Sequence, residues 1–358
     1  MKRLRILHVA PENISLISSS FVRAHRELGN ESCLVTFVRS RIGLEDEIVL
    51  NYRIFNEPAI KRLKILSGRE DVVVTSLPKD PPVWGKGPIG HLFQLRDILW
   101  QYQLHRFWYR YRLFDYDIYH FDTGVPFIFG DRIVKRLVGA GKKIVAFYCG
   151  SDLRKRGIDR NLEPYVDLNL TCEYDHLRFY PDLTYVFMPF DYRSFEMRGE
   201  ENRILRVCHA PSRRAAKGTH HILEAVKDLK NEISFEFVLI EGMPYHECIQ
   251  VKKGCDIGIE QVGSYAGTGY GRNSLEFLAL GIPTITEIPD DYEQMIPDHP
   301  FIKATPENLK DVLRRVLKDR DLRMKKKIEG RAWLERYHDS KQVVMSIYNL
   351  YQKKGWIR

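Results

Sequence analysis

Short apolar runs alternate with helical segments along this chain, and the alternation begins twice. Leu4–Ala10 reads as a strand, Phe21–Leu28 as a helix ended by Gly29, and Cys33–Val38 as a second strand. Asp117–Phe121, Lys143–Tyr148 and Thr184–Phe187 are further strand-like runs with helical segments between them. Near Asn202 the rhythm restarts. Ile204–His209, Phe235–Ile240, Asp256–Glu260 and Pro283–Thr286 read as strands, with helices over Thr219–Leu229 and Tyr245–Lys253. Thr305-Pro306-Glu307 puts proline at the first position of a helix through Leu317. Strands alternating with helices imply parallel, doubly wound sheets. The reading is α/β with two successive domains, residues 1–195 and 196–334. Trp333–Trp356 reads as a final helix carrying Trp333, Tyr337, Tyr348 and Tyr351. In such sheets ligands bind outside the C-terminal ends of the strands.

The densest chemical signal is the run Gly269 to Ile285. Gly269 and Gly271 let the backbone approach a ligand without a Cβ in the way. Asn273 is placed to cap the helix that follows, and Gly281 with Pro283 ends it. A helix N-terminus behind glycines offers free N–H groups and partial positive charge, which suits phosphate. Glu276, one turn in, is placed to meet a ligand's hydroxyls. It also stands three residues after Asn273, which fits a capping box serving the helix alone.

This run resembles the C-terminal half of retaining glycosyltransferases of the GT-B fold, glycosyltransferase family 4 (glycosyl transferases group 1). There, Glu-Gly-Phe-Gly-x-x-x-x-Glu precedes an Ala/Met-rich helix and Gly-x-Pro-Val-Ile. Glu276 falls on the second glutamate, and Thr268 stands where the first would be. The resemblance implies two Rossmann-like domains facing across a cleft, with a last helix, about residues 335–358, packing back on the N-terminal domain.

Three other stretches extend it. His209 to Thr219 sets Arg213, Arg214 and Lys217 at the entrance to a helix, where cations oppose the macrodipole and a bound anion would relieve the conflict. It resembles the family's Arg…Lys-Gly element, which holds the donor diphosphate; Ser212 occupies the usual arginine position, leaving Arg213 or Arg214 to substitute. Asp117 to Gly124 closes a strand that in the family often ends His-x-His near the acceptor and donor sugar. Here His120 and Asp122 hold those positions, and His120 equally fits a strand-end residue with a satisfied hydrogen bond. Tyr148 to Arg154 resembles His-Gly-Ser-Asp-x-Arg with Cys149 for histidine. Asp152 and Arg154 are placed to pair or to meet a polar ligand, or simply to form a turn. After the first strand, Pro11 to Leu16 lacks Gly-x-Gly-x-x-Gly, which weighs against an NAD-type dehydrogenase. Asn13 and Ser15 stand there on the acceptor side.

Composition bounds the rest. At 358 residues, 44% hydrophobic and 29% charged, the chain is ordinary for a globular protein of two domains. No apolar run reaches the roughly 18 residues that span a bilayer. Met1-Lys2-Arg3-Leu4-Arg5 leads into a strand rather than a signal-peptide core, so a cytoplasmic location is expected. The six cysteines are scattered, which suits reduced thiols, and the 12 histidines show no metal-ligand spacing along the chain. A net charge of +9 favours anionic partners, and no nucleic-acid motif accompanies it. Trp84 to Phe114 is rich in aromatics and arginines; it fits either a helix lying on an anionic membrane at the inner face or one burying an aromatic stripe.

The resemblance then implies transfer of a sugar from a nucleotide diphosphate donor to a glycan or lipid-linked acceptor, with retention and without a metal, as in polysaccharide or cell-envelope synthesis. Asp122, Lys217 and Arg213 are the expected catalytic groups. Arg213, Arg214, Lys217, Thr268, Gly269, Tyr270, Gly271, Arg272, Asn273, Ser274 and Glu276 would hold the donor; Asn13, Ser15, His120, Asp152 and Arg154 lie on the acceptor side. The departures at Thr268, Asp122 and Cys149 keep other readings open: a catalytically weak GT-B protein that binds nucleotide or a partner glycosyltransferase, a sugar-nucleotide epimerase, or a membrane-bound interaction protein.

Overall fold

The computed structural model describes residues 3–40, 46–52, 83–84, 88–178, 180–263 and 269–358. The chain divides into two compact units, one reaching Pro189 and including Ser340–Arg358, the other spanning Phe190–Asp339.

In the first unit the strands are β1 (Arg5–Ala10), β2 (Glu31–Thr36), β3 (Ile48–Val49), β4 (Val83–Trp84), β5 (Ile118–Asp122), β6 (Lys143–Tyr148), β7 (Ile158–Asp159), β8 (Leu168–Thr171) and β9 (Leu183–Tyr185). Seven form a parallel sheet in the order β3-β2-β1-β5-β6-β8-β9, and β4 pairs separately with β7. Runs such as Lys143–Tyr148, buried from Ile144 onward, suit a parallel sheet covered on both faces. In register, His8 of β1 lies opposite His120 of β5. The helix Ile17–Glu27 covers one face with Ile17, Phe21 and Ala24. Val343, Val344, Ile347 and Tyr351 of the helix Ser340–Lys353 join the same core. Asn13 shapes the start of the first helix. Its amide accepts from the Ser19 N–H at 3.2 Å and donates to Ser19 Oγ at 3.0 Å.

The second unit has β10 (Arg206–His209), β11 (Glu236–Leu239), β12 (Ile257–Ile259), β13 (Thr284–Thr286) and β14 (Ile302–Lys303), all parallel, in the order β11-β10-β12-β13-β14. Its helices bury stripes at helical spacing: Ile222, Ala225, Val226 and Leu229, then Leu309, Leu313, Val316 and Leu317. The latter helix is Leu309–Lys318, not one starting at Pro306, although the Leu309 N–H already reaches Thr305 O at 3.0 Å. The segment Trp333–Trp356 is also not one helix. Arg320–Tyr337 ends at His338, whose carbonyl accepts from the Phe190 N–H at 2.8 Å, and Ser340–Lys353 starts anew. The six cysteines are free thiols. Among the described residues no helix is long and apolar enough to cross a membrane.

Candidate functional site

The second sheet reverses its winding between β10 and β12, so the loops leaving these two strands diverge and open a site. His209 ties them together. It donates from Nδ1 to Ile259 O at 2.8 Å, so its Nε2 accepts from the Thr219 hydroxyl at 2.9 Å. The loop after β10 makes one turn, Ala215–Lys217, and enters the helix Thr219–Leu229 through Gly218 at φ 61°. A Cβ on Gly218 would stand 1.9 Å from Val262 O, so only glycine lets the loop lie against the chain leaving β12.

That contact delivers Lys217. Its ammonium donates to Glu260 Oε1 at 2.5 Å and Gln261 Oε1 at 2.8 Å. The other Glu260 oxygen accepts from Asn273 Nδ2 at 2.6 Å and Ser274 Oγ at 3.1 Å, both in the first turn of the helix Arg272–Ala279. Burial pushes the Glu260 carboxyl up, but the Lys217 charge and the bonds from Lys217, Asn273 and Ser274 outweigh it and hold the group below the usual range. A lysine, a buried carboxylate and a helix N-terminus thus form one connected group.

Glu276, one turn further, is buried. Lys252 Nζ donates to Oε2 at 2.5 Å and Arg272 Nε to Oε1 at 3.1 Å. Burial would lower the Lys252 pKa, yet Glu276 holds it above the usual value. Arg272 also donates to the Tyr245 hydroxyl at 3.1 Å and stands 5.0 Å over the Phe190 ring.

Several expected roles change. Gly271, not Asn273, is the residue before the first helical turn; Asn273 turns to Glu260, and no capping box forms because Glu276 is taken by Lys252 and Arg272. Arg214 donates to both Glu241 carboxylate oxygens over 2.6 to 3.1 Å, so Glu241 and Glu260 supply the negative charge that the basic loop requires. Arg213 is exposed. Tyr270 points into the protein, bonded to His338 at 3.2 Å and stacked 5.6 Å from Tyr292, so only its backbone faces the glycine loop's task. Gly269 has φ 69°. Thr268 lies outside the described residues.

In the first unit, Asn13 is buried and bonded to Ser19 and Ser40, and Ser15 and Leu16 hold positive φ of 53° and 57°. His120 is fully buried and bonds Tyr351 through Nε2. Asp122 is buried, its oxygens 3.0 and 3.3 Å from His8 Nδ1. Asp152 and Arg154 do not pair with each other. Asp152 accepts from the Cys149 N–H at 3.0 Å and faces Arg156, while Arg154 binds Asp175 and lies 3.5 Å from Glu173. Burial pushes Glu173 up to about 7.

The residues that sequence reasoning missed are Glu260, Gln261, Lys252 and Glu173. The sole signal for the first was its position as the last residue of a strand-like run, Asp256–Glu260, where site residues of doubly wound sheets gather.

No family model matches the chain, and no curated protein matches it. Solved structures do. The chain is similar to HepE from Anabaena in complex with UDP, at 12% identity and TM-score 0.57, over 98% of this chain and 100% of that one. It is similar to a glycosyltransferase from Rickettsia africae at 12% identity and TM-score 0.55, over 99% of both chains. A third structure, a UDP-N-acetylglucosamine 2-epimerase, matches at 10% identity and TM-score 0.52, over 99% of this chain and 98% of that one. At these identities the likeness is one of fold, and the fold is GT-B.

Proposed function

We propose that the second unit binds a nucleotide diphosphate sugar and that the protein transfers the sugar, with retention, to a glycan or lipid-linked acceptor. The observation that carries the reading is the tie between Lys217 and the first turn of the helix Arg272–Ala279 through Glu260, Asn273 and Ser274. A diphosphate set against the backbone N–H groups from Gly269 to Arg272 meets the helix dipole and the Lys217 ammonium together. Charge growing on the leaving diphosphate is then stabilised by groups already fixed in place, with Arg213 on the exposed side of the same loop. Each Glu276 oxygen accepts one of the two cations' bonds and keeps a further lone pair for ribose hydroxyls. HepE, similar in fold, is known with UDP and with UDP-glucose. No metal at the diphosphate is part of this reading.

The lipid-linked acceptor draws support from the helix Pro88–Arg110 and the turn after it. Ile98, Tyr102 and Tyr109 are 64%, 76% and 67% exposed, with Arg106, Arg110 and Arg112 exposed beside them. Exposed aromatics among arginines suit an anionic membrane face, here the cytoplasmic one.

The test is thermal shift with UDP, GDP, ADP, TDP and CDP. A ligand that binds only the folded state raises stability by about 2.7 kcal/mol at 100 times its Kd. A shift with one base, lost in Glu276→Ala, supports the donor site, and no shift with any base refutes it. The fold match to an epimerase favours a second reading, epimerisation of the sugar nucleotide. Conversion of the donor to its epimer without acceptor would select it.

A further inference from the structure

The 12 histidines show no ligand spacing along the chain, yet the first sheet assembles a group that the sequence hides. His8 and His120 face each other across β1 and β5, with ring centroids 4.5 Å apart, and Asp122 lies two residues beyond His120. One ligand atom from each of His8, His120 and Asp122 lies within 4.8 Å of the other two, and all three residues are buried. His25, from the helix Ile17–Glu27, stands beside them, 5.2 Å from the His8 ring.

The bonding is incomplete in a particular way. His120 Nε2 is held by the Tyr351 hydroxyl and His25 Nδ1 by Tyr348 OH at 2.6 Å. Tyr348 also accepts from Asn30 at 2.8 Å. The remaining nitrogens, His120 Nδ1, His25 Nε2 and His8 Nε2, are buried and have no hydrogen-bond partner among the described residues. His120, held at one ring nitrogen by Tyr351 and unsatisfied at the other, has the arrangement of a metal ligand with its outer partner in place.

We propose that His8, His120 and Asp122 bind a divalent transition metal of the zinc and cobalt class inside the first unit. One ring nitrogen from each of His8 and His120 and one carboxylate oxygen of Asp122 would bind the ion. Two imidazoles and a carboxylate suit such an ion, and bonds of about 2.0–2.2 Å bring neighbouring donors to about 3.4 Å. Asp122 Oδ2 and His8 Nδ1 are already 3.0 Å apart, and the third donor, from His120, lies within 4.8 Å of the other two. The metal would pin the two central strands together at the point where the sheet reverses its winding, and would make Asp122 a ligand rather than a group touching sugar. This site is separate from the donor site of the second unit and stands or falls without it.

Because the group is buried, the ion is supplied during refolding. The whole protein is unfolded with a chelator, then refolded with Co²⁺ or Zn²⁺, or without metal. The expected result is one tightly held equivalent per chain, a visible cobalt absorption band and a higher Tm than the metal-free protein. His120→Gln and Asp122→Asn should each abolish the band, while His246→Gln, an exposed histidine elsewhere, retains it. Should the His120 or Asp122 variant fail to fold, X-ray absorption of the cobalt wild type decides, with imidazole and carboxylate scattering expected. Absence of a stoichiometric equivalent after refolding, a band that survives in folded His120→Gln, or scattering without imidazole overturns the site.

Discussion

Lys217 and Glu260 are the residues on which the donor reading turns, and their mutual dependence can be measured. Glu260 has no exposed side-chain surface and Lys217 only 16%. Lys217→Met alone strands a buried carboxylate, and breaking such a pair costs about 3–5 kcal/mol. Changing both, Lys217→Met with Glu260→Gln, leaves an amide that still accepts from Asn273 or Ser274, so most of the lost stability should return. On the proposed donor reading, affinity for a nucleoside diphosphate should not return, because the ammonium assigned to the phosphate is gone. Denaturant unfolding and a UDP titration on the wild type and the two variants check this, and a double variant binding like the wild type removes Lys217 from the site. Glu173 gives a pH-dependent counterpart. Burial lifts its carboxyl from 4.5 to about 7, with Arg154 opposing and Asp175 adding. Between those values the folded protein keeps a proton that the unfolded chain has released, so stability falls as pH rises through the window and the loss is complete above about 7. Glu173→Gln keeps an acceptor for the Gly150 N–H, now bonded at 2.9 Å, and cannot ionise. The Tm of this variant relative to wild type should therefore grow from about pH 5 to about pH 8. A difference that stays flat would show that Glu173 does not titrate in this range.

At the scale of elements, the turn into the helix Thr219–Leu229 sets where Lys217 lies, and glycine there answers two demands. Gly218 and Gly242 both have positive φ, of 61° and 66°, but a Cβ meets Val262 O only at Gly218 and open space at Gly242. Gly242→Ala should cost about 1–2 kcal/mol from backbone strain alone. Gly218→Ala should cost clearly more and weaken UDP binding as the loop is pushed from β12, read by Tm and titration side by side. Equal costs would mean that the loop relaxes freely. The same elements show what the sequence reveals. Lys143–Tyr148 is legible to the residue, since a strand buried on both faces must be an unbroken apolar run. The strand Leu168–Thr171 is not, because Asn169 and Thr171 interrupt its pattern and their partners, Tyr180 and Tyr148 O, come from elsewhere. The break at His338 carries neither glycine nor proline and is set by the distant Phe190 N–H. The glycine loop and basic loop were legible as local chemistry. Glu260 was not, for its partners lie 13 and 43 residues away and only the switch between β10 and β12 joins them. The histidine group is the same case, joined across two neighbouring strands.

For the molecule as a whole, chain order and structural unit disagree at the C-terminus, and that disagreement has a consequence for folding. Among the described residues the second unit is one stretch, Phe190–Asp339, with its own five-stranded sheet and a core running from Val207 to Leu317. Every side chain given above to the donor site lies in it. The first unit is discontinuous: the face of the helix Ile17–Glu27 is covered by Val343, Val344, Ile347 and Tyr351, and the Tyr348 and Tyr351 hydroxyls hold His25 and His120. Each of those large side chains contributes about 1.5–3 kcal/mol by burial, so together they match much of a domain's net stability of about 5–15 kcal/mol. Residues 190–339 expressed alone should therefore unfold cooperatively and retain the UDP-induced rise in Tm. Residues 1–189 alone should be aggregated or molten, binding a hydrophobic dye, and should recover a cooperative transition when residues 340–358 are rejoined through a flexible linker. Calorimetry of the three chains separates the outcomes. A folded 1–189 fragment would mean that the last helix merely decorates the first unit, and a folded 190–339 fragment indifferent to UDP would mean that the donor site needs more than its own unit.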